Sequence, residues 1–149
     1  MIFQPLYGEF ADESLYVGIM NAFEGDYELV DKYHYINSDY IECVTDTYLK
    51  IKDAQNKYPL DMYEIKMGEE IIGYVVICKT YNFLYSFGIN VNQRTPQNME
   101  YFFKKIAILF NGGFTCGLWA KNMRAIEYLL KNGMEIYKRE DNQVHLIYN

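Results

Sequence analysis

Metal-ligating and disulfide-forming side chains are few in this chain, and their spacing excludes several chemistries. Its two histidines, His34 and His145, lie far apart in no ligand pattern, so neither a zinc site nor any other metal site is expected. Cys43, Cys78 and Cys116 are odd in number and widely separated, with no C-x-x-C. That fits a reducing compartment in which thiols serve as small core residues, and Cys78 and Cys116 both fall within apolar stretches. No apolar run approaches the roughly 18 residues of a membrane-spanning helix. The opening MIFQPLYGEFADE lacks a basic start followed by an apolar run. Neither a transmembrane span nor a signal peptide is expected, and the expected location is the cytoplasm. G-x-S-x-G, a P-loop, and a Ser or Cys nucleophile beside a His are all missing.

Positive charge is short as well. Lys and Arg number 14 against 20 Asp and Glu, a net charge of −6. Phosphate neutralisation dominates nucleic-acid affinity, so nucleic acid is a poor candidate partner. The deficit is uneven: residues 1–70 carry 15 acidic against 5 basic side chains, net −10, whereas residues 71–149 carry 5 against 9, net +4. Either the acidic residues solvate two N-terminal helices, or the two halves face ligands of opposite sign. Residues 71–99 contain no Asp, Glu or His at all.

What is present is apolar and aromatic. Half the residues are hydrophobic and 17% are aromatic, which excludes disorder and gives a chain of 149 residues enough material for one domain, 1–149. Tyr27, Tyr33, Tyr35 and Tyr40 crowd one stretch near Phe23. They form either a contact surface, since interfaces favour such residues, or a second core layer.

Ile2–Tyr7 alternates as a short strand closed by Gly8. Asp12 is placed to cap a helix carrying Leu15, Ile19, Met20 and Phe23, which Gly25 ends. A second helix starts at Ser38 or Asp39, where Asp39 and Glu42 have capping-box spacing, and its apolar positions Ile41, Val44, Tyr48 and Ile51 keep the helical period. Pro59 lies just beyond its end. Residues 61–66, 71–80 and 83–91 then read as an antiparallel meander, with turns at 68–70 and 81–82. A helix follows from Thr95 to about Phe110, broken by Gly112 and Gly113. Residues 115–119 form a strand, Asn122 caps a helix with Ala125, Ile126, Leu129 and Leu130 on its apolar side, and Gly133 stops it in the left-handed conformation. Residues 136–138 and 144–148 close the chain as a hairpin, with His145 alternating onto the solvent side. A strand-edge dimer through that hairpin is geometrically feasible.

Residues 119–134, WAKNMRAIEYLLKNGM, resemble the C-terminal half of the GNAT acyl-CoA N-acyltransferase fold. The family text N-x-x-A-I-x-x-Y-x-x-x-G-F is matched at Asn122, Ala125, Ile126 and Gly133, with Leu129 in the Tyr position. The element order coincides with that family's order throughout. The resemblance implies an α+β, GNAT-like fold: a mixed central sheet of about six to seven strands flanked by about four helices. It also implies acetyl-CoA as cofactor if the protein is active, with Arg94, Thr95, Gln97, Asn98 and Asn122 as the residues that would bind it.

Against the family pattern, three devices are altered. Active members hold the pyrophosphate on Q/R-x-x-G-x-G/A, where backbone N–H groups and the helix dipole meet the phosphates. Here the segment reads Asn92-Gln93-Arg94-Thr95-Pro96-Gln97-Asn98, with no glycine, no N–H on Pro96 and Thr95 placed as an N-cap. The central strands offer no general base; Glu64, on the strand before them, is the nearest carboxylate and reads otherwise as an exposed strand residue. Leu129 replaces the general-acid Tyr. Tyr128 is its neighbour and a candidate, but one residue along a helix rotates a side chain by roughly 100°, which aims it elsewhere. Tyr137 is a second candidate substitute. His34, between Tyr33 and Tyr35, reads as packed.

The same helix, with Leu at the Tyr position and no glycine loop, also resembles GNAT-like virion and internal virion proteins of tailed phages over roughly residues 83–139. That likeness implies a non-catalytic protein acting through contacts with other proteins, virion components among them, and packaged in a virion. The alternative is an acetyl-CoA-dependent N-acetyltransferase acting on an amine.

Overall fold

The computed structural model describes residues 1–26 and 40–149. Seven strands form one sheet in the order β1-β2-β3-β4-β5-β7-β6. They are β1 (Ile2–Leu6), β2 (Asp61–Met67), β3 (Glu70–Cys78), β4 (Phe83–Ile89), β5 (Phe114–Trp119), β6 (Glu135–Arg139) and β7 (Gln143–Tyr148). Helices α1 (Ala11–Phe23), α2 (Tyr40–Gln55), α3 (Pro96–Leu109) and α4 (Met123–Lys131) flank it among the described residues. The mixed seven-stranded sheet with four helices is the α+β arrangement expected from the sequence. Every pairing is antiparallel except β4 with β5.

Because helices cover both faces of the central strands, β3 reads as a nearly continuous apolar run instead of alternating. One face of β3 sends Tyr74 and Val76 into a core with Leu15, Ile19, Val44 and Ile51 of α1 and α2. The other sends Val75 and Ile77 toward Phe102, Phe103 and Ile106 of α3 and Ile126 and Leu129 of α4. Both layers are essentially dry, so each helix is fixed to the sheet by apolar burial.

Several local expectations change. Asp12 does not cap α1: Phe10 occupies the N-cap position with no side-chain cap bond, and the Asp12 carboxylate instead reaches Lys52 of α2 at 2.7 Å. The expected strand over 83–91 stops at Ile89, because the Asn90 side chain accepts from the Asn92 N–H at 2.9 Å and turns the chain into a 3-10 segment. The capping box at Ser38 and Asp39, and residues Tyr27, His34, Tyr33 and Tyr35, lie outside the described residues. His145 is only partly solvated, with 23% of its side chain exposed. Its ring lies against Gly117, and Nε2 is buried with no hydrogen-bond partner, 3.6 Å from a Glu140 oxygen.

Other termini follow the sequence closely. Thr95 Oγ1 accepts from the Asn98 N–H at 3.1 Å with Pro96 opening α3, Asn122 Oδ1 accepts from the Ala125 N–H at 3.2 Å, and Gly133 takes φ +102° after α4. All three cysteines are buried, and burial pushes the Cys116 thiol up to about 12, so it stays protonated as a core group. No helix of the described residues is long and apolar enough to cross a membrane.

Candidate functional site

The single parallel pairing creates the site. β4 and β5 are in register only at Phe83–Thr115 and Leu84–Cys116, at the start of both strands. Beyond Leu84 they diverge, and among the described residues the β5-facing edge of residues 85–89 has no strand beside it. A backbone edge that is not paired offers N–H and C=O groups to an extended ligand. Ligands of open sheets with parallel strands bind outside the carboxyl ends of those strands, where these two part.

The resulting cleft has a volume of about 1870 Å³ and opens to both faces of the sheet. On the α3 and α4 face it is walled by Phe87, Met99, Phe103, Ala125 and Tyr128. On the α1 and α2 face it is bordered by Asp46, Thr47, Lys50, Tyr85 and Ser86, with Trp119 at the end of β5. The first wall is apolar and aromatic. The second is polar: Tyr74 and Ser86 share a 2.8 Å hydrogen bond, and burial pushes the Tyr74 phenol up to about 12. Asp46 and Lys50 form an ion pair at 2.9 Å, and the Lys50 ammonium stands 5.7 Å from the Trp119 ring centre.

At the open end of the cleft, three charges meet. Asp26, just after α1, has a side chain only 1% exposed. Its Oδ2 accepts from Arg94 Nη1 at 2.8 Å, and both its oxygens accept from Arg124 Nη2, at 3.0 and 2.8 Å. Arg94 also donates Nε–H to the Ile89 carbonyl at 3.0 Å. Arg94 follows β4 and Arg124 lies in the first turn of α4, after β5. The carboxylate therefore ties together the ends of the two diverging strands. A buried carboxylate requires such partners, because leaving it unpaired costs several kcal/mol, about 3–5.

The residues singled out from the sequence separate in space. Arg94 and Asn122 line the cleft, whereas Thr95, Gln97 and Asn98 lie off its wall. Thr95 and Asn98 are occupied with the local cap and with the Gln93 carbonyl, at 2.9 Å from Asn98 Nδ2. Glu64 does not line the cleft. It is a buried residue of β2, 7% exposed and on the α1 and α2 face, 3.6 Å from Lys66, so its reading as an exposed strand residue is corrected. Tyr137 lies on the edge strand β6, against His145.

Tyr128 reverses the geometric expectation. The 100° rotation between neighbours sends Leu129, fully buried, into the core, and turns Tyr128 onto the cleft wall. The buried stripe of α4 runs through Ile126 and Leu129, and Tyr128 falls at its margin. Its hydroxyl donates to the Met99 carbonyl at 2.7 Å, and burial raises its pKa above the ordinary phenol value. Tyr128 thus holds α4 to α3 across the cleft and keeps its proton. Replacing Leu129 with tyrosine should accordingly create no catalytic gain, because that position faces the core. It should cost about 1–3 kcal/mol in urea denaturation, from overpacking and a buried hydroxyl.

Asp26, Arg124, Asp46, Tyr85 and Ser86 were not singled out from the sequence. Nothing in their spacing marks them: Asp26 meets its partners across 68 and 98 positions. Among the described residues no three His, Cys, Asp or Glu side chains are grouped to hold a metal ion.

The sequence matches no family model and no curated protein. Solved structures do match. The fold is similar to an acetyltransferase from Thermus thermophilus, with a TM-score of 0.72 and 10% identity over 99% of this chain and 95% of that one. It is similar to the PaiA N-acetyltransferase from Thermoplasma acidophilum in complex with coenzyme A, with a TM-score of 0.61 and 13% identity over 99% and 98%. It is also similar to the Campylobacter jejuni N-acetyltransferase PseH in complex with acetyl coenzyme A, with a TM-score of 0.54 and 14% identity over 87% and 93%. The fold is therefore that of the GNAT acetyltransferases.

Proposed function

We propose that this chain, built on the GNAT fold, binds an acyl-CoA thioester in the cleft between β4 and β5 and promotes transfer of the acyl group to an amine. The observation that carries this reading is the divergence of β4 from β5 after Leu84, which leaves a strand edge open inside a cleft walled by α3 and α4. The residues present fit such a ligand. The edge of residues 85–89 can bond an extended amide-bearing arm, Phe87, Met99 and Phe103 supply apolar contact, and Arg94 and Asn122 line the same cleft with polar groups. Bound there, the thioester supplies an activated carbonyl and a weakly basic leaving thiolate.

The chain's own contribution is placement. Asp46, Tyr85 and Ser86 border the opposite opening of the cleft, where an amine would enter, with Asp46 already paired to Lys50 at 2.9 Å. Tyr74 and Tyr128 remain protonated and act as neutral donors or spacers, not as bases. No histidine lines the cleft among the described residues. On this reading the amine gives up its proton to solvent before it reacts, with the cleft carboxylates Asp46, Glu100 and Glu127 as the alternative acceptors a pH profile would expose.

A thiol-release assay with acetyl-CoA and a panel of primary amines and polyamines tests this. Amine-dependent thiol release, lost on competition by coenzyme A, is the expected result. Release equal to the no-protein control for every amine would remove the catalytic part of the reading.

A second reading has its own observations. Thr95 closes the first turn of α3 and Asp26 occupies Arg94, so the place that meets phosphates in the family is already satisfied internally. On that reading the chain keeps the fold for contacts with other proteins, as an assembly component. Stable complexes with a partner protein, together with no response to coenzyme A, would favour it.

A further inference from the structure

We propose that Arg94 and Arg124 form an anion-binding pair at the open end of the cleft, and that Asp26 is its built-in competitor, lowering this chain's affinity for phosphate-bearing ligands. The identity of the natural ligand rests on the acyl-CoA reading; the chemistry of the pair does not.

Two guanidinium groups are brought to one point by the fold: one follows β4, the other opens the helix after β5. Each presents a planar fork of donors, the geometry that matches a carboxylate or a phosphate with two parallel bonds. What they hold is a carboxylate belonging to the chain itself. Asp26 takes both in its own two oxygens at 2.8 to 3.0 Å, and its side chain is almost wholly withdrawn from solvent while Arg94 is 22% and Arg124 44% exposed. The exposed part of the cluster is thus its cationic part.

The charges decide the sign. Asp26 places a negative charge between the two guanidinium groups, so an anion that approaches their donors meets that carboxylate as well. If the ligand takes over the forks, it must displace a buried carboxylate; if it shares them, it is repelled by that carboxylate. Either route weakens binding relative to a neutral residue at position 26. The glycine-free segment 92–98 makes the consequence larger, since fewer backbone donors stand by to compensate.

The experiment is calorimetric titration with inorganic pyrophosphate, coenzyme A and pantetheine. Asp26→Asn is expected to bind pyrophosphate and coenzyme A at least tenfold more tightly than the native chain, with pantetheine, which lacks phosphate, unchanged. Arg124→Gln keeps the Asp26–Arg94 pair and does not depend on the first variant folding; it should weaken pyrophosphate at least fivefold. Equal or weaker pyrophosphate binding by Asp26→Asn overturns the proposal, as does an unaffected Arg124→Gln or no pyrophosphate binding by any form. If coenzyme A binds the native chain and Asp26→Asn identically, the competitor role fails while the acyl-CoA reading stands. If pyrophosphate responds as expected but neither coenzyme A nor pantetheine binds, the anion pair stands and the acyl-CoA reading fails.

Discussion

Gly73→Ala is expected to lower the stability of the folded chain by about 3 kcal/mol, through overpacking of a rigid contact. A methyl at Gly73 would lie 2.1 Å from the Gly88 carbonyl oxygen and 2.9 Å from the Ile89 Cα, both backbone atoms of β4. Neither can rotate away. The same residue also receives α1, because a Cβ on Gly18 would stand 2.8 Å from the Gly73 carbonyl oxygen. One glycine therefore sets both the spacing of β3 to β4 and the approach of α1 to the sheet. Relief requires β4 to shift, and β4 is the floor of the cleft. For a domain of this size the loss corresponds to a fall in Tm of roughly 6–12 °C. Gly88→Ala is the control, since its methyl meets only the Ala22 Cβ at 3.4 Å and Tyr74 Cε1 at 3.6 Å. It should change stability by less than about 1 kcal/mol, in part through the less flexible unfolded chain. Thermal denaturation of the two variants side by side checks the pair, and similar melting of both would contradict the packing described for β3.

The second large effect concerns pH. Acyl transfer to a lysine-like amine should accelerate about tenfold per pH unit from pH 6 to 9, roughly a thousandfold in all, because the free amine, with an ordinary pKa near 10.4, is the reacting form. Among the described residues the cleft carries four carboxylates, Asp26, Asp46, Glu100 and Glu127, and no histidine, so no group near it has the ordinary pKa of a base poised at neutral pH. Asp46 is paired with Lys50, Glu100 is held below the usual carboxylate range by Lys104, and Asp26 is taken by two arginines. Burial drives the phenols the other way: Tyr74 to about 12 and Tyr128 above its ordinary value, so neither yields a phenolate base below pH 9. The measurement is kcat/KM against pH at saturating acyl donor. A bell or a plateau with an inflection near pH 7 would show a general base that this geometry does not contain.

Local signals carried the fold a long way. The Thr95 and Asn122 caps, the Gly133 stop, the turn at Asn82 and the presence of the three meander strands all depend on residues within a few positions of one another, and these are readable without tertiary information. The α+β class, with a mixed sheet of about seven strands and about four helices, followed from the resemblance that Asn122, Ala125, Ile126 and Gly133 carry. The site was less legible, for two reasons. Its charges pair at long range, as in Asp26 with Arg94 and Arg124 or Asp12 with Lys52, and no periodicity encodes such pairs. The orientation of α4 also depends on which stripe the core takes: Ile126 and Leu129 win it by burial, and Tyr128 is carried onto the cleft as a result. Alternation placed His145 on the face opposite Val144 and Leu146, where it is partly exposed, and what alternation does not encode is that the bare backbone of Gly117 lets its ring lie against the sheet.

Calorimetric titration of the native chain with acetyl-CoA bears most directly on whether the opening between β4 and β5 is a working thioester site. Saturable binding in the micromolar range, abolished when Phe87→Asp places a charge on the apolar wall of a chain that still folds, is the result this account requires. Absence of heat at millimolar acetyl-CoA, from protein shown to be folded, would contradict it.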